Sequence, residues 1–159
     1  MIFVVVGTQK FQLNRLLKEI DSQIEKGIIK EEVFAQIGNS DYKPKYYKFK
    51  KFIDKDEFEK IMEECTILIT HSGVGTIISG LNHNKPVIVY PRLKKYNEHV
   101  DDHQTEIAKS FSEMNYVLLC NEDDDLSNLL KEASKHKFEK YSSRRVDTIK
   151  AINKFLDSF

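Results

Sequence analysis

Residues 98–104, EHVDDHQ, place six side chains that can ligate a metal, move a proton or bind a hydroxyl group within seven positions. His99 and His103 are four residues apart, so on a helix they would share one face. Asp102 or Glu98 would then complete a metal shell, provided that the segment is already helical there. The metal interpretation therefore depends on where the helix begins.

Two other interpretations of the same segment stay open. Asp101 and Asp102 suit the start of a helix, which would leave His103 and Gln104 in its first turn. Carboxylate, imidazole and carboxamide groups also bind the hydroxyl groups of sugars. Spacing alone thus leaves a metal site, a solvated helix cap and a polar-ligand site as alternatives.

A second candidate site is the glycine-rich segment 71–76, HSGVGT, between a predicted strand and a predicted helix. Gly73 and Gly75 would let the backbone approach a ligand, and Ser72 and Thr76 would add hydroxyl donors. The unpaired N–H groups of a helix start suit a phosphate or a diphosphate. The pattern is neither a dinucleotide fingerprint nor a P-loop, and a turn needed only for strand–helix packing explains it equally well.

The elements that position these residues follow from hydrophobic periodicity. Continuous or alternating apolar runs predict strands at 2–6, 33–38, 46–52, 66–70, 86–91 and 116–120. Apolar stripes at helical spacing predict helices over 13–24, 55–64, 74–82, about 105–113, 126–133 and 141–157. Strands that alternate with helices predict one α/β domain over 1–159, a Rossmann-like, mainly parallel sheet of about six strands with helices on both faces.

In such a sheet, ligands bind outside the carboxyl ends of the strands. Three chemically rich segments leave those ends: Gly7-Thr8-Gln9, His71–Thr76 and Pro91–Gln104. We therefore expect the three segments to meet at one rim. Gly7-Thr8 is the weakest of them, since a structural turn explains it equally well.

Composition narrows the class of protein. Lys plus Arg and Asp plus Glu both number 25, so the net charge of +0 argues against bulk capture of nucleic acid. Cys65 and Cys120 belong to no CxxC pair and fit buried apolar positions in a reducing cytoplasm. No apolar run reaches the roughly 20 residues needed to span a bilayer. The lysine- and aromatic-rich segment 43–52, KPKYYKFKKF, favours a strand with one wet face, and contact with a partner or a membrane surface is a secondary possibility.

Together these segments resemble the C-terminal domain of glycosyltransferase family 28, in its short bacterial branch that builds exopolysaccharide or capsule. The chain is also similar to the soluble catalytic subunit of the eukaryotic UDP-N-acetylglucosamine transferase that adds the second dolichol-linked sugar. The segments that carry the resemblance are IFVVVGTQKFQLNRLLKEID, THSGVGTIISGLNHNKPVIVYPR and KKYNEHVDDHQ. The resemblance implies the C-terminal, donor-binding half of a GT-B fold.

The resemblance also implies roles for single residues. His71, Ser72, Gly73, Gly75 and Thr76 would face the diphosphate of a UDP-sugar. Gly7 and Thr8 would approach the diphosphate from the first strand, and backbone at Phe52 and Ile53 would meet the uracil. Asp102, His103 and Gln104 would hold the donor sugar, while Pro91, Arg92, Glu98 and His99 would shape the loop above it. Enzymes of this fold need no bound metal, so neither a metal nor another cofactor is expected.

Two departures from the family pattern bear on these roles. Many relatives carry a ribose-binding Glu on the helix after the glycine loop, where this chain has Ser79. Short-branch relatives read Gly-Glu-His-Val-Asn-Asp-His-Gln, whereas Asn97 and Asp101 replace the first Gly and the Asn here. Asn tolerates a left-handed backbone, so the change at position 97 is mild.

The function that the resemblance implies is inverting transfer of a hexose from a UDP-sugar to a lipid-linked saccharide. The chain has no room for an acceptor domain, so a separate membrane-anchored subunit would supply the acceptor side and the catalytic base. That partner would recruit this otherwise cytoplasmic chain to the inner face of the membrane. Glu98 and His99 are the local alternatives for the base. A non-catalytic UDP-sugar-binding or scaffold subunit and a metal-dependent hydrolase are the rival interpretations.

Overall fold

Strand order shows which loops lie next to one another. A computed structural model describes residues 1–141, which contain six strands in the order β3-β2-β1-β4-β5-β6. The strands are β1 (Ile2–Val5), β2 (Val33–Gln36), β3 (Lys48–Lys50), β4 (Ile67–Thr70), β5 (Val87–Val89) and β6 (Leu118–Leu119). Every strand pair within this part of the chain is parallel. The Rossmann-like prediction is confirmed, and the strand order reverses between β1 and β4.

The described residues contain five α-helices, of which four connect strands and the fifth follows β6. They are α1 (Asn14–Glu25), α2 (Lys55–Glu64), α3 (Val74–Asn82), α4 (His103–Glu113) and α5 (Leu126–Ala133), with a 3-10 turn at Lys94–Tyr96. The carboxylate of Asp54 accepts a hydrogen bond from the Glu57 N–H at 2.8 Å and so caps the start of α2. The helix predicted over 141–157 lies outside the described residues.

Both faces of the sheet are covered, because successive side chains of a strand point to opposite faces. On β1, Ile2 and Val4 pack with residues of α1 and α5, whereas Phe3 and Val5 pack with residues of α2, α3 and α4. The fully buried run of β1 is the pattern of a central parallel strand. Helices therefore lie on both faces, as predicted.

The observed strands are shorter than predicted. The third strand was expected over 46–52 and pairs only at Lys48–Lys50, and the sixth was expected over 116–120 and pairs only at Leu118–Leu119. These two strands form the edges of the sheet, where only one neighbour supplies backbone partners. Apolar character thus extends beyond the residues that form ladder hydrogen bonds.

Candidate functional site

The loops after β1 and β4 lie side by side at the point where the strand order reverses. Val5 and Thr70 are register partners at the carboxyl ends of these strands. The N–H of His71 then donates to the carbonyl of Val5 at 3.2 Å. Two of the three predicted rim segments are therefore adjacent, and the third reaches them through Arg92.

The imidazole of His71 lies between two glycines. A Cβ atom at Gly7 would lie 2.5 Å from Nε2 of His71, and one at Gly73 would lie 2.5 Å from Cε1 of the same ring. Gly7 also has a φ of +84°, which other residues rarely adopt. Sequence reasoning assigned Gly73 to the approach of a ligand. In the structure, the space that Gly73 leaves is occupied by His71.

Burial and the neighbouring Arg92 together keep the ring of His71 neutral. The Arg92 guanidinium donates to Nδ1 of His71 at 2.9 Å, and because a guanidinium only donates, the ring proton is assigned to Nε2. Burial, followed by the charge of Arg92, lowers the pKa of His71 to about 3, while a hydrogen bond with Gln104 acts in the opposite direction. His71 is therefore a neutral imidazole at physiological pH.

Arg92 itself is fully buried beneath the rim. Its guanidinium also donates to the carbonyls of Val6, Phe11 and Gln12. Burial lowers the pKa of Arg92 to about 10, which still leaves it charged at neutral pH. The resemblance implied that Arg92 shapes the loop above the donor sugar. The structure places it below the cavities, where it ties the loop after β5 to the loop after β1.

A cavity of about 460 Å³, the large rim cavity, opens beside the start of α3. The predicted site residues in its lining are Gly7, Thr8, Ile53, His71, Gly73, Gly75 and Thr76. Sequence reasoning missed Gln36, Lys55 and Phe58, which also line it. Gln36 ends β2 and Lys55 begins α2, so the topological rule that located the other loops could have found both.

The start of α3 gives this cavity an anion-binding character. No side chain in the described part of the chain caps this helix, which begins after Gly73. The first-turn N–H groups have no partner within the helix, and the helix dipole is positive at this end. A Cβ atom at Gly75 would have no neighbour within 4 Å, so open space lies over this turn. The geometry suits an oxyanion such as a phosphate.

A second cavity of about 250 Å³, the small rim cavity, adjoins the first. Both cavities share Gln9, His71 and Gly73 in their lining. The remaining residues that line the small rim cavity are Ser72, Val74, His99, His103, Gln104 and Ile107. Gln9 and Val74 lie within the predicted rim segments but were given no role of their own, and sequence reasoning missed Ile107. Most of the shared and added side chains are polar hydrogen-bonding groups, and none is a carboxylate, an ammonium or a guanidinium, which suits a polar, uncharged ligand.

Two buried polar groups stand out in the small rim cavity. The Ser72 side chain is 2% exposed, and its hydroxyl has no hydrogen-bond partner among residues 1–141. A buried polar atom without a partner costs about 1–3 kcal/mol, so a ligand hydroxyl at this position would be stabilising. Gln104 is 6% exposed, and its Oε1 accepts from the N–H of Arg92 at 3.1 Å.

The EHVDDHQ segment divides its work among its residues. Asp101 accepts from the N–H of His103 at 2.9 Å and so caps α4, and it also pairs with the rings of His99 and His103. Asp102 is exposed and accepts from the N–H of Lys94 at 3.0 Å. Asp102 lines neither rim cavity, so the structure separates it from His103 and Gln104.

Glu98 is a buried anchor of the loop after β5. Both of its carboxylate oxygens accept from Arg15, at 3.0 and 2.9 Å, and one also accepts from the N–H of Leu93. Arg15 stacks on Tyr90 and on Tyr96 in the same network. Sequence reasoning missed Arg15, because 83 positions separate it from Glu98.

Three further residues lie outside both linings. Glu98 and Pro91 are buried beneath the rim, whereas Phe52 is 51% exposed beside it. Ile53, the neighbour of Phe52, lines the large rim cavity, and its N–H donates to Gln36 at 3.3 Å. The loop between β3 and α2 therefore reaches the site through Ile53 and Lys55.

The condition for the metal interpretation is not met. Helix α4 begins at His103, so His99 precedes it and the two rings do not share a helical face. Within residues 1–141, no group of three or more His, Cys, Asp or Glu side chains is arranged to hold a metal ion. The charged groups of the segment bind one another and the backbone instead.

The sheet and its rim define a class of protein. Solved structures of glycosyltransferases share the fold: the kitacinnamycin glycotransferase aligns with 99% of this chain and 39% of its own, at a TM-score of 0.61 and 14% identity. MurG of Acinetobacter baumannii aligns with 94% of this chain and 49% of its own, at a TM-score of 0.51 and 17% identity. At these identities the likeness shows the fold alone. The chain therefore has the Rossmann-like fold of a domain in these GT-B glycosyltransferases.

The particular family follows from the sequence. The chain belongs to glycosyltransferase family 28, whose C-terminal domain model matches residues 1–157. The mouse UDP-N-acetylglucosamine transferase subunit ALG13 is 26% identical over 125 residues, which cover 74% of this chain and 10% of the mouse protein. The Candida albicans subunit ALG13 is 37% identical over 67 residues, which cover 42% of this chain and 22% of that protein. The resemblance to the family is confirmed.

Proposed function

We propose that the chain is the donor-binding, catalytic subunit of an inverting glycosyltransferase that moves a hexose from a UDP-sugar to a lipid-linked saccharide in exopolysaccharide or capsule assembly. The observation that carries the proposal is the pair of adjoining rim cavities that share Gln9, His71 and Gly73. One cavity faces an uncapped helix start, and the other is lined mainly by polar hydrogen-bonding side chains. Such a pair suits a diphosphate joined to a sugar.

The diphosphate would lie against the start of α3 in the large rim cavity. Amide groups at Gly75 and Thr76 and the hydroxyl of Thr76 would bind its oxygens, with Gly7 and Thr8 on the opposite side. Lys55 lines the same cavity and would add a positive charge. As the bond from the anomeric carbon to the diphosphate breaks, these groups would stabilise the negative charge on the leaving oxygen. No metal is required for that step.

The donor sugar would lie in the small rim cavity. Gln104 and His103 would bind its hydroxyl groups, and the hydroxyl of Ser72 would gain the partner that it lacks among residues 1–141. Asp102 would act indirectly, by holding the preceding 3-10 turn in place. The nucleoside would extend towards Ile53 and Phe58 along the large rim cavity.

The acceptor side would come from a separate membrane-anchored subunit. An acceptor hydroxyl would attack the anomeric carbon and give up its proton to a base, and UDP would leave with the bonding electrons. Glu98 is poorly suited to be that base, because both of its oxygens already accept hydrogen bonds from Arg15. His99, in the small rim cavity, is the local alternative, and the proposal assigns the base to the partner subunit.

The comparisons support the proposal that the chain acts as one subunit of a transferase, and they do not identify its pathway. The mouse and Candida albicans relatives are each named as a subunit of a UDP-N-acetylglucosamine transferase. This chain spans only 10% and 22% of their lengths, so their activity comes to it as a proposal. No helix within residues 1–141 is long and apolar enough to cross a membrane. A partner would place the chain at the cytoplasmic membrane face.

A non-catalytic UDP-sugar-binding or scaffold subunit is the second candidate. It is favoured by Ser79 on α3, where many relatives carry a ribose-binding Glu, and by the complete pairing of Glu98. The substitution Gln104→Ala separates the two candidates. A catalytic subunit should lose most of the turnover of its assembled complex, whereas a scaffold should keep both partner binding and turnover.

Isothermal titration tests the donor site directly. The purified chain is titrated with UDP, UDP-glucose, UDP-galactose and UDP-N-acetylglucosamine, each with and without a chelator. Binding that favours one sugar and ignores the chelator is the expected result, and it would name the hexose. Absence of binding both for the free chain and for its complex with the partner would overturn the donor-site assignment.

A further inference from the structure

The segment 43–52, which we term the lysine edge, concentrates positive charge on a chain whose net charge is +0. Five of its ten residues are Lys and none is acidic, although Lys plus Arg and Asp plus Glu are equal over the whole chain. The segment contains β3, an edge strand of the sheet. The proposed donor site uses none of these lysines.

The lysine edge is held in a defined position. The buried carboxylate of Asp21 on α1 accepts hydrogen bonds from the N–H of Lys45 at 2.8 Å and of Tyr46 at 2.9 Å. The hydroxyl of Tyr47 donates to the carbonyl of Leu17 at 3.0 Å. The pairing of β3 with β2 holds Lys48–Lys50 as well. The segment is therefore bound to α1 at Lys45–Tyr47 and to the sheet at Lys48–Lys50. Its lysines therefore extend from a fixed backbone.

Most of the positive charge is free of local neutralisation. Lys50 pairs with Glu57 at 2.9 Å. The exposed residues Lys43, Lys45, Lys48 and Lys51 form no salt bridge with any residue in the described range. Two aromatic side chains lie beside them, Tyr46 at 42% and Phe52 at 51% exposure. A surface with four unneutralised ammonium groups and exposed rings has the composition of an interaction site.

The lysine edge ends next to the large rim cavity. Phe52 is followed directly by Ile53, which lines that cavity, and Lys55 lines it as well. Whatever binds the edge is therefore brought close to the mouth of the candidate site. A surface that carries a lipid-linked substrate would therefore present this substrate to the cavity when it binds the lysine edge.

The geometry points to an anionic lipid surface as the partner of the lysine edge. Ammonium groups bind anionic headgroups while their alkyl stems and neighbouring aromatic rings lie along the apolar boundary. A nucleic-acid strand fits less well, because it needs successive rings on which bases stack. Between Tyr46 and Phe52, the ring of Tyr47 is buried and that of Phe49 is partly buried against the core.

This direct lipid contact goes beyond the proposed function, in which only the partner subunit provides membrane attachment. It predicts that the purified chain binds anionic vesicles weakly without any partner. Its failure would leave the donor site untouched, because the titration with UDP-sugars needs no membrane. A failure of donor binding would likewise leave vesicle binding unaffected.

Vesicle sedimentation tests the inference. The full chain, K45E/K48E and the control K109E/K135E are mixed at low salt with phosphatidylcholine vesicles that contain or lack phosphatidylglycerol. Lys109 and Lys135 are exposed residues associated with α4 and the end of α5, near the other edge of the sheet. Both double variants change the net charge equally, so the comparison isolates the position of the charge.

We expect the full chain and K109E/K135E to bind only the vesicles that contain phosphatidylglycerol. The affinity of K45E/K48E for these vesicles should be reduced roughly thirtyfold or more. Raising the salt concentration should weaken the interaction of the unaltered chain. Equal loss in both double variants, or equal binding to both kinds of vesicle, would overturn the assignment. So would tighter binding to a single-stranded RNA than to the anionic vesicles, which would assign the edge to nucleic acid. Thermal unfolding checks that each variant is folded.

Discussion

His71 is the residue on which the rim is built. Its ring fills the space left by Gly7 and Gly73, lines both rim cavities and accepts a hydrogen bond from buried Arg92. A protonated ring would face the positive guanidinium at 2.9 Å, so the same contact that orients the ring also keeps it neutral. The structure of the site is therefore coupled to pH.

The pH dependence of stability should reveal this coupling. The pKa of His71 is lowered from 6.5 to about 3, so between these values the unfolded chain binds a proton that the folded chain does not. The free energy of unfolding should therefore fall as the pH falls below 6.5. In His71→Asn, an amide oxygen can still accept from Arg92 but does not titrate. Urea unfolding between neutral pH and about pH 5 should give the unaltered chain a slope steeper by up to about 1.4 kcal/mol per pH unit. Equal slopes would contradict the assignment.

The two glycines of the HSGVGT segment should respond differently to the same substitution. In Gly73→Ala the new methyl group meets the His71 ring, so we expect a loss of about 1–3 kcal/mol in the free energy of unfolding. In Gly75→Ala it enters open space on a helix, so stability should stay unchanged or rise by up to about 1 kcal/mol. That methyl group would occupy the large rim cavity, and UDP affinity should fall roughly tenfold, about 1.4 kcal/mol.

Chemical denaturation and titration with UDP check both glycine variants. The pair serves as its own control, since each variant adds one methyl group two positions from the other. Unchanged UDP affinity in Gly75→Ala would place the diphosphate elsewhere. Full stability in Gly73→Ala would show that the His71 ring moves aside without cost.

At the scale of elements, the loop between β5 and α4 is held from two sides. Glu98 pairs with Arg15 of α1, and Tyr96 and Lys95 both contact Glu122 in the loop after β6. Arg92 adds a third tie to the loop after β1. The loop that carries His99 and leads to Gln104 is thus fixed by distant elements rather than by its own sequence.

A double-mutant cycle on Arg15 and Glu98 should measure this tie. Glu98→Ala leaves a partly buried guanidinium without its carboxylate, so the free energy of unfolding should fall by about 2 kcal/mol. Arg15→Ala should cost a similar amount, and the double variant should cost clearly less than the sum of both. Additive losses would show that the two side chains act independently. Glu98→Gln tests the base alternative, because a catalytic Glu98 would lose turnover in the folded variant while donor affinity was retained.

The sequence predicted the secondary-structure elements better than the side-chain contacts between them. The apolar run of β1 and the i, i+3, i+4 stripe of α1 depend on neighbouring residues, so their type was readable directly. The rim location followed from topology, because parallel strands end at one edge. The lining by Phe58 and the partner of Glu98 depend on packing between distant segments. No local pattern encodes such contacts.

Two site residues show why residue type alone was insufficient. Arg92 and Asp102 have the chemistry of ligand-binding groups, and the resemblance implied that Asp102 holds the donor sugar and that Arg92 shapes the loop above it. The buried guanidinium of Arg92 donates hydrogen bonds to three backbone carbonyls. The carboxylate of Asp102 accepts a hydrogen bond from the N–H of Lys94. Whether a polar side chain binds the protein or a ligand is decided by the distances around it.

At the scale of the molecule, the rim forms one side of the candidate site, and a second domain or subunit would close the other side. In a GT-B enzyme two Rossmann-like domains face each other across the bound donor, and the solved relatives are two to three times as long as the segment they share with this chain. Here the large rim cavity opens beside exposed residues such as Thr8, Gln9 and Lys55. On the proposed function, acceptor binding and exclusion of water would then depend on a partner.

The purified chain should therefore bind its donor and yet turn it over poorly. Release of UDP from the preferred UDP-hexose is measured with a lipid-linked saccharide acceptor, first with the chain alone and then with the membrane-anchored partner added. Addition of the partner should raise the rate by roughly two to four orders of magnitude, the range typical of one positioned acid–base group. Gln104→Ala in the assembled complex should return the rate towards that of the chain alone. Rapid transfer by the purified chain would instead require a base within this sequence, with His99 as the first residue to replace.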